Sequence, residues 1–323
     1  MSFKEIIGHK DAIGFLAAAY AGDRLAHAYL FVGPAGIGKG RVARAFARLL
    51  LCESPREGAA CGMCGGCRRS GSGQHPDLRI LEPDGPFIRI DAVRAAGDFV
   101  NLKPFEAARK VLIIDPASAM NEEAANALLK TLEEPAAHTI IVLIAETAAA
   151  LPGTIVSRCQ RLVFGALASA ELEALLVGRL GLDRTAARDL GRLCDGSPGE
   201  ALRFHQEGVL EQRDALLRFL DSDAPMKEAN AWTADRETAL RLLRALAMWY
   251  RDMLTIKVTD APDLLAAASG AAALRNAAGG RTVKDILSAL GVVAQTSLDI
   301  RRNANMRLAF EQMRTQLCTS SFR

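Results

Sequence analysis

Between the apolar run Ala28–Val32 and a stretch of good helix formers at 39–51 lies Gly33-Pro34-Ala35-Gly36-Ile37-Gly38-Lys39. A G-x-x-x-x-G-K segment set between a strand and a helix admits few folds. Its glycines let backbone N–H groups turn inward, the start of the helix adds positive potential, and Lys39 adds a full charge. The segment therefore reads as a phosphate-binding loop, with Gly33, Gly36, Gly38 and Lys39 as candidate nucleotide-binding residues. An ordinary glycine-rich turn would not need this strand–loop–helix setting. The position after the lysine should carry Ser or Thr, whose hydroxyl holds Mg²⁺. Gly40 stands there instead, so a metal that neutralises transition-state charge would be poorly held.

Further strand-like runs follow at 78–81, 111–114, 139–145 and 162–164, alternating with helical patterns. Asp91 reads as the N-cap of a helix running to Val100. Asn121 reads as the cap of a helix that carries Glu122 and Glu123 in its first turn and stops at Pro135. This alternation predicts an α/β domain around a parallel sheet. Beyond Gly165 the strand signal ends. Short amphipathic helices are expected at 169–182, 184–194 and 199–208, with Gly196-Ser197-Pro198-Gly199 as a turn. The segment 209–323 reads as helical, including the Ala-rich stretch 266–278, with a break at Gly279-Gly280. With 323 residues, two or three domains are expected.

Four of the seven cysteines cluster as C-x₈-C-x₂-C-x₂-C: Cys52, Cys61, Cys64 and Cys67. Four thiolates close a tetrahedral zinc site with no open position, which makes the metal structural, and Gly62, Gly65 and Gly66 permit the tight turns. His75 is surplus to that set. A redox C-x-x-C pair would need a strand-to-helix setting that is missing here. Cys159, Cys194 and Cys318 read as small buried apolar residues. The apolar run 111–114 ends in Asp115, either a carboxylate that directs magnesium or a plain capping residue. Ser157-Arg158-Cys159 precedes the fifth run.

The net charge of +3 is too small for a protein that wraps DNA alone. The opening Met-Ser-Phe-Lys-Glu has no apolar run behind it, and no apolar stretch is long enough to span a bilayer. A cytoplasmic protein with reduced cysteines is expected.

In chain order, the phosphate loop, the four-cysteine insertion, His75-Pro76-Asp77 and Ile90-Asp91-Ala92-Val93-Arg94 are followed by two longer motifs. These are Ala125-Asn126-Ala127-Leu128-Leu129-Lys130-Thr131-Leu132-Glu133-Glu134-Pro135 and Thr154-Ile155-Val156-Ser157-Arg158-Cys159-Gln160. The series resembles the bacterial clamp-loader subunits of the AAA+ class, delta-prime and gamma/tau, over roughly residues 1–205. The last third is similar mainly at Asn303-Ala304-Asn305-Met306-Arg307-Leu308. The resemblance implies an AAA+ P-loop domain at 1–165 with a zinc insertion at about 52–67, a helical lid at 166–208 and an all-α oligomerisation collar at 209–323. Active members place Glu after the aspartate, and this chain has Pro116. They also carry an arginine in the Gly-Ser turn of the lid, where Ser197 is followed by Pro198. With Gly40, these changes put the chain on the delta-prime side, with little or no hydrolysis of its own.

Several roles are carried by the resemblance. Arg158 is implied as an arginine finger reaching a neighbour's ATP, and the partners are gamma/tau and delta subunits, with the sliding clamp and primed DNA met through the complex. Whether ATP or ADP occupies the loop stays open. Two other readings remain: an active gamma/tau-like ATPase, and a zinc-containing DNA-binding protein, which lacks aromatic side chains for base stacking near the cysteines.

Overall fold

The computed structural model describes residues 2–220, 232–233, 235–259, 265 and 271–320. The chain divides into two compact units, Met1–Glu171 and Leu172–Arg323.

In the first unit, strands β1 (Ala28–Val32), β2 (Leu78–Leu81), β3 (Lys110–Ile114), β4 (Thr139–Ala145) and β5 (Gln160–Val163) form one all-parallel sheet in the order β2-β3-β4-β1-β5. Every residue of β1, β3 and β4 is buried, as their unbroken apolar runs require of strands covered on both faces. Alternate residues serve opposite faces. Tyr29 and Phe31 pack with Leu16 of α1 (Lys10–Ala21) and with Val42 and Phe46 of α2 (Lys39–Leu50). Ala28, Leu30 and Val32 pack toward the opposite face. There α4 (Ile90–Asn101) contributes Val93 and Val100, and α5 (Glu122–Glu133) contributes Leu128 and Leu132, while α3 (Gly65–Gly71), in the cysteine insertion, packs against α2. A short helix α6 (Gly153–Val156) precedes β5.

Three details differ from expectation. Arg89, not Asp91, is the N-cap of α4, and Asp91 lies in the first turn, where its charge still suits the helix dipole. The last strand begins at Gln160, because an edge strand leaves Gln160, Arg161 and Val163 exposed and carries no continuous apolar run. Phe164 follows it, buried, and its N–H donates to the Val32 carbonyl at 2.7 Å. Asn121 caps α5 as read, its side chain accepting from the Ala124 N–H.

The second unit is helical throughout its described residues: most of α7 (Ser169–Leu180), then α8 (Arg184–Leu193), α9 (Pro198–Gln206), α10 (Val209–Leu220), α11 (Arg236–Thr259), α12 (Ala271–Gly279), α13 (Val283–Arg301) and α14 (Met306–Ser320). Asp183 and Ser197 cap α8 and α9, and Pro198 occupies the first turn of α9, where its missing N–H costs nothing. Leu216, Leu242, Leu246, Ile286, Val293 and Phe310 belong to one buried core. Thr282 and Asp285 form a capping box that starts α13 just past Gly279-Gly280. Of the Ala-rich stretch 266–278, residues 271–278 are helical, and 266–270 lie outside the described residues, as do 221–231, 234, 260–264 and 321–323 of the segment read as helical. No helix among the described residues is long and apolar enough to cross a membrane.

Candidate functional site

The C-terminal ends of β1, β3 and β4 bring Gly33, Asp115 and Glu146 to one edge of the sheet, the edge at which open α/β sheets hold ligands. Gly38 caps α2 with φ of 107°, a conformation that a side chain would strain. A side chain at Gly33 would collide with the Phe164 carbonyl, so the chain can leave β1 here only as glycine. Lys39 is buried, and its Nζ donates to the carbonyls of Gly33 at 2.6 Å and Pro34 at 2.7 Å. An ammonium carries three N–H donors; two hold the curve of the loop, and one remains for an anion. Burial lowers the Lys39 pKa, and the carboxylates of Glu146 and Asp115 oppose that shift. His9 closes the loop from another side, with Nε2 2.7 Å from the Ile37 carbonyl and its ring edge-on to Phe164. This arrangement fits a phosphate group.

Its magnesium side is incomplete. Residue 40 has no hydroxyl, and a Cβ placed there would stand 2.7 Å from Asp115 Oδ2. The Asp115 carboxylate therefore faces residue 40, and a side chain there would meet it or move it. Burial raises its pKa, and Arg44 and Lys39 pull it back. Arg44, one turn beyond Gly40, donates to Glu82 at 2.6 Å. Pro116 follows Asp115 through a cis peptide, caps a single 3₁₀ turn and supplies no carboxylate. Reading the sequence missed His9, Arg44, Glu82 and Glu146. Arg44 alone left a signal, lying four residues after Gly40 on the same helix.

Cys52, Cys61, Cys64 and Cys67 come together, with all four Sγ atoms within 4.8 Å of one another. Cys52 and Cys64, and likewise Cys61 and Cys67, lie 3.9 Å apart. The edge of a tetrahedron built on Zn–S bonds of ~2.3 Å is ~3.8 Å, so the cluster has the size of a zinc site. Backbone N–H groups of Cys61, Gly62 and Cys67 donate to Cys52, Cys67 and Cys64 sulfurs, contacts that favour thiolates. Backbone N–H groups hold the Cys61 pKa down to about 6, and burial pushes Cys67 up to about 12. A divalent cation would draw the remaining protons off. The cluster can therefore hold a metal such as zinc. Gly66 approaches the Leu51 carbonyl too closely for any side chain, and its N–H donates to Glu53 at 2.7 Å.

His75 stands apart from the four thiols among the described residues. It is buried, Nδ1 accepts from the Asp77 N–H, and so Nε2 faces Glu106 at 3.2 Å as the donor. Glu106 also takes a forked contact from Arg69 of α3, at 3.0 and 2.6 Å. Asp77 is fully buried and accepts N–H bonds from Phe105, Glu106 and Ala107 at 2.7–2.9 Å, with Lys110 Nζ at 3.3 Å. Burial alone would raise the Asp77 pKa, yet the three N–H bonds and Lys110 outweigh it and hold it below the usual carboxylate value. A loop joined to the cysteine module is thereby tied to the start of β3.

Arg158 sits just after α6, partly exposed. Its guanidinium donates to the Thr154 carbonyl at 2.9 Å and to Glu133 Oε1 at 2.7 Å. Among the described residues these contacts tie it to α5 and α6 and not to the phosphate loop. Cys194 is fully buried and Cys159 partly so, and burial raises their pKa values to about 12 and about 11.

Comparison with known proteins bears on these features together. The family model described as DNA polymerase III, delta subunit matches residues 8–168. The DNA polymerase III subunit delta-prime of Pseudomonas aeruginosa is 44% identical over 195 residues, 59% of this chain and 60% of that protein. The alignment thus spans less than two thirds of that relative's length. The delta-prime subunit of Bacillus subtilis is 34% identical over 257 residues, 75% of this chain and 76% of that protein. The tau subunit of Salmonella typhimurium is 31% identical over 260 residues, 76% of this chain and 40% of that longer protein.

Proposed function

Because this chain belongs to the family of bacterial DNA polymerase III delta-prime subunits, we propose that it serves in the cytoplasm as a delta-prime-type subunit of a clamp loader. In this reading it assembles with gamma/tau and delta subunits into an ATP-driven ring that places a sliding clamp on primed DNA. Residues 1–165 form the AAA+ domain, 166–208 the lid and 209–323 the collar through which the ring assembles. Cys52, Cys61, Cys64 and Cys67 hold a structural zinc ion.

The observation that carries the catalytic part of the reading is that Gly40, which has no hydroxyl, is the residue facing the Asp115 carboxylate. Gly33, Gly36, Gly38 and Lys39 keep a phosphate cradle that accommodates ATP or ADP, and the metal side lacks the hydroxyl of residue 40 and a carboxylate at Pro116. The chain then contributes to hydrolysis elsewhere. Arg158, partly exposed and permanently charged, acts in trans on ATP held by a neighbouring subunit, where its planar fork matches phosphate oxygens.

The test is Arg158→Ala in the loader reconstituted with its gamma/tau and delta partners. The variant should assemble, bind ATP and load clamps more slowly. Arginine fingers contribute roughly 10³–10⁵ in rate at one site, diluted here by the ring's other sites. Unchanged turnover and loading in an assembled complex would refute the role, and failure to assemble would make Arg158 an interface anchor.

A further inference from the structure

We propose that Glu133 is the positioning residue for Arg158, holding its guanidinium from behind so that its free edge faces outward. The proposal rests on the finger reading above and deepens it.

The geometry is specific to two elements. Glu133 is the last residue of α5, and Arg158 follows the short helix α6. The guanidinium's two terminal nitrogens are used differently. One donates to the Thr154 carbonyl at 2.9 Å, with the Ser157 hydroxyl at 3.4 Å, and the other donates to Glu133 Oε1 at 2.7 Å. A guanidinium has five N–H donors in a rigid plane. Thr154 and Glu133 fix that plane at two corners. Among the described residues, Nε–H and the second hydrogen on the Glu133-bonded nitrogen meet no acceptor, so two donors remain for phosphate oxygens.

Charge and exposure favour a positioning role over a stabilising one. The Arg158 and Glu133 side chains are 36% and 51% exposed. A pair this open contributes little to folding, because water screens it. Its worth lies in restricting a long, rotamer-rich side chain before the neighbour arrives. A finger that must be ordered during the reaction loses part of its effect, and a misplacement of about 1 Å in a reacting constellation costs on the order of 10²-fold. Glutamine in place of Glu133 keeps an acceptor oxygen at the same reach; alanine removes it.

The experiment compares Glu133→Ala, Glu133→Gln, Arg158→Ala and the Glu133→Ala/Arg158→Ala double variant in the reconstituted loader, reading clamp-stimulated ATP turnover under saturating ATP. Assembly and thermal midpoint are checked for each. Glu133→Ala should remove most of the turnover that Arg158→Ala removes, with assembly and thermal midpoint unchanged. Glu133→Gln should restore it. The double variant should be no slower than Arg158→Ala alone, because the carboxylate acts only through the arginine. A normal rate for Glu133→Ala beside a slow Arg158→Ala would overturn the positioning role and leave the finger standing. Additive losses in the double variant would overturn it as well, by showing that Glu133 acts independently. An unaltered rate for Arg158→Ala would sink the finger reading and this one with it.

Discussion

Asp77→Ala removes an acceptor that serves four donors at once. The carboxylate is fully buried and takes N–H bonds from Phe105, Glu106 and Ala107 and an ion pair from Lys110, whose side chain is only 5% exposed. Hydrogen bonds to a charged group contribute about 1.5–3 kcal/mol each, but Phe105 is 82% exposed and its loop can rehydrate. Lys110 cannot, since it lies at the start of a buried strand with its ammonium 4.0 Å from the centre of the Phe99 ring. Breaking one side of a buried pair costs about 3–5 kcal/mol, and the lower end suits a partly solvated loop. For a unit of this size ~3 kcal/mol lowers the melting midpoint by roughly 6–12 °C. Chemical and thermal unfolding of the whole chain measures it. Lys110→Met in the same background should recover part of the loss by removing the orphaned charge. The pH dependence has a definite sign. The folded Asp77 pKa lies below its ordinary value of 3.8, so the unfolded chain binds more protons in that window. Its contribution is present above pH 3.8 and is lost as pH falls through the folded value, and the variant's acid profile should be flatter there. A destabilisation below about 1 kcal/mol would refute the reasoning, as would a Lys110→Met second change that recovers nothing.

Two further outcomes concern the candidate sites. Cys64→Ser should lower zinc content and loosen the insertion, because metal binding and local folding are coupled; elemental analysis that finds no zinc in the unmodified protein defeats the zinc reading. The isolated chain should hydrolyse ATP far below about 1 s⁻¹, and Gly40→Thr should not restore turnover, since Pro116 still supplies no carboxylate. Turnover near the ordinary enzyme range in either protein contradicts this.

Local chemistry was legible in the sequence, and long-range pairing was not. The loop 33–39 announces itself because glycine positions and a lysine at a helix start are consecutive. The cysteine set does so because its spacing is short, and Asn121 because a cap lies next to the turn it serves. Helix α1 escaped notice because Lys10–Ala21 is alanine-rich and shows no sharp polar face. Asp77 meets its N–H partners 28–30 residues away, and Glu133 meets Arg158 25 residues away. Such pairs leave no periodic trace, and only the packed sheet makes them neighbours. His75 shows the same limit: surplus as a ligand, it turns out to be fixed by Asp77 and Glu106.

Strand β3 has a different occupation at each end. Lys110 begins it, locked to Asp77, and Asp115 follows its last residue at the phosphate loop. Five residues at ~3.3 Å each keep the two ends about 16 Å apart, and every side chain between them is buried. The strand behaves like a beam bolted at one support. Its anchored end fixes register and holds the insertion in place, so the opposite end is free to trade chemistry without endangering the frame.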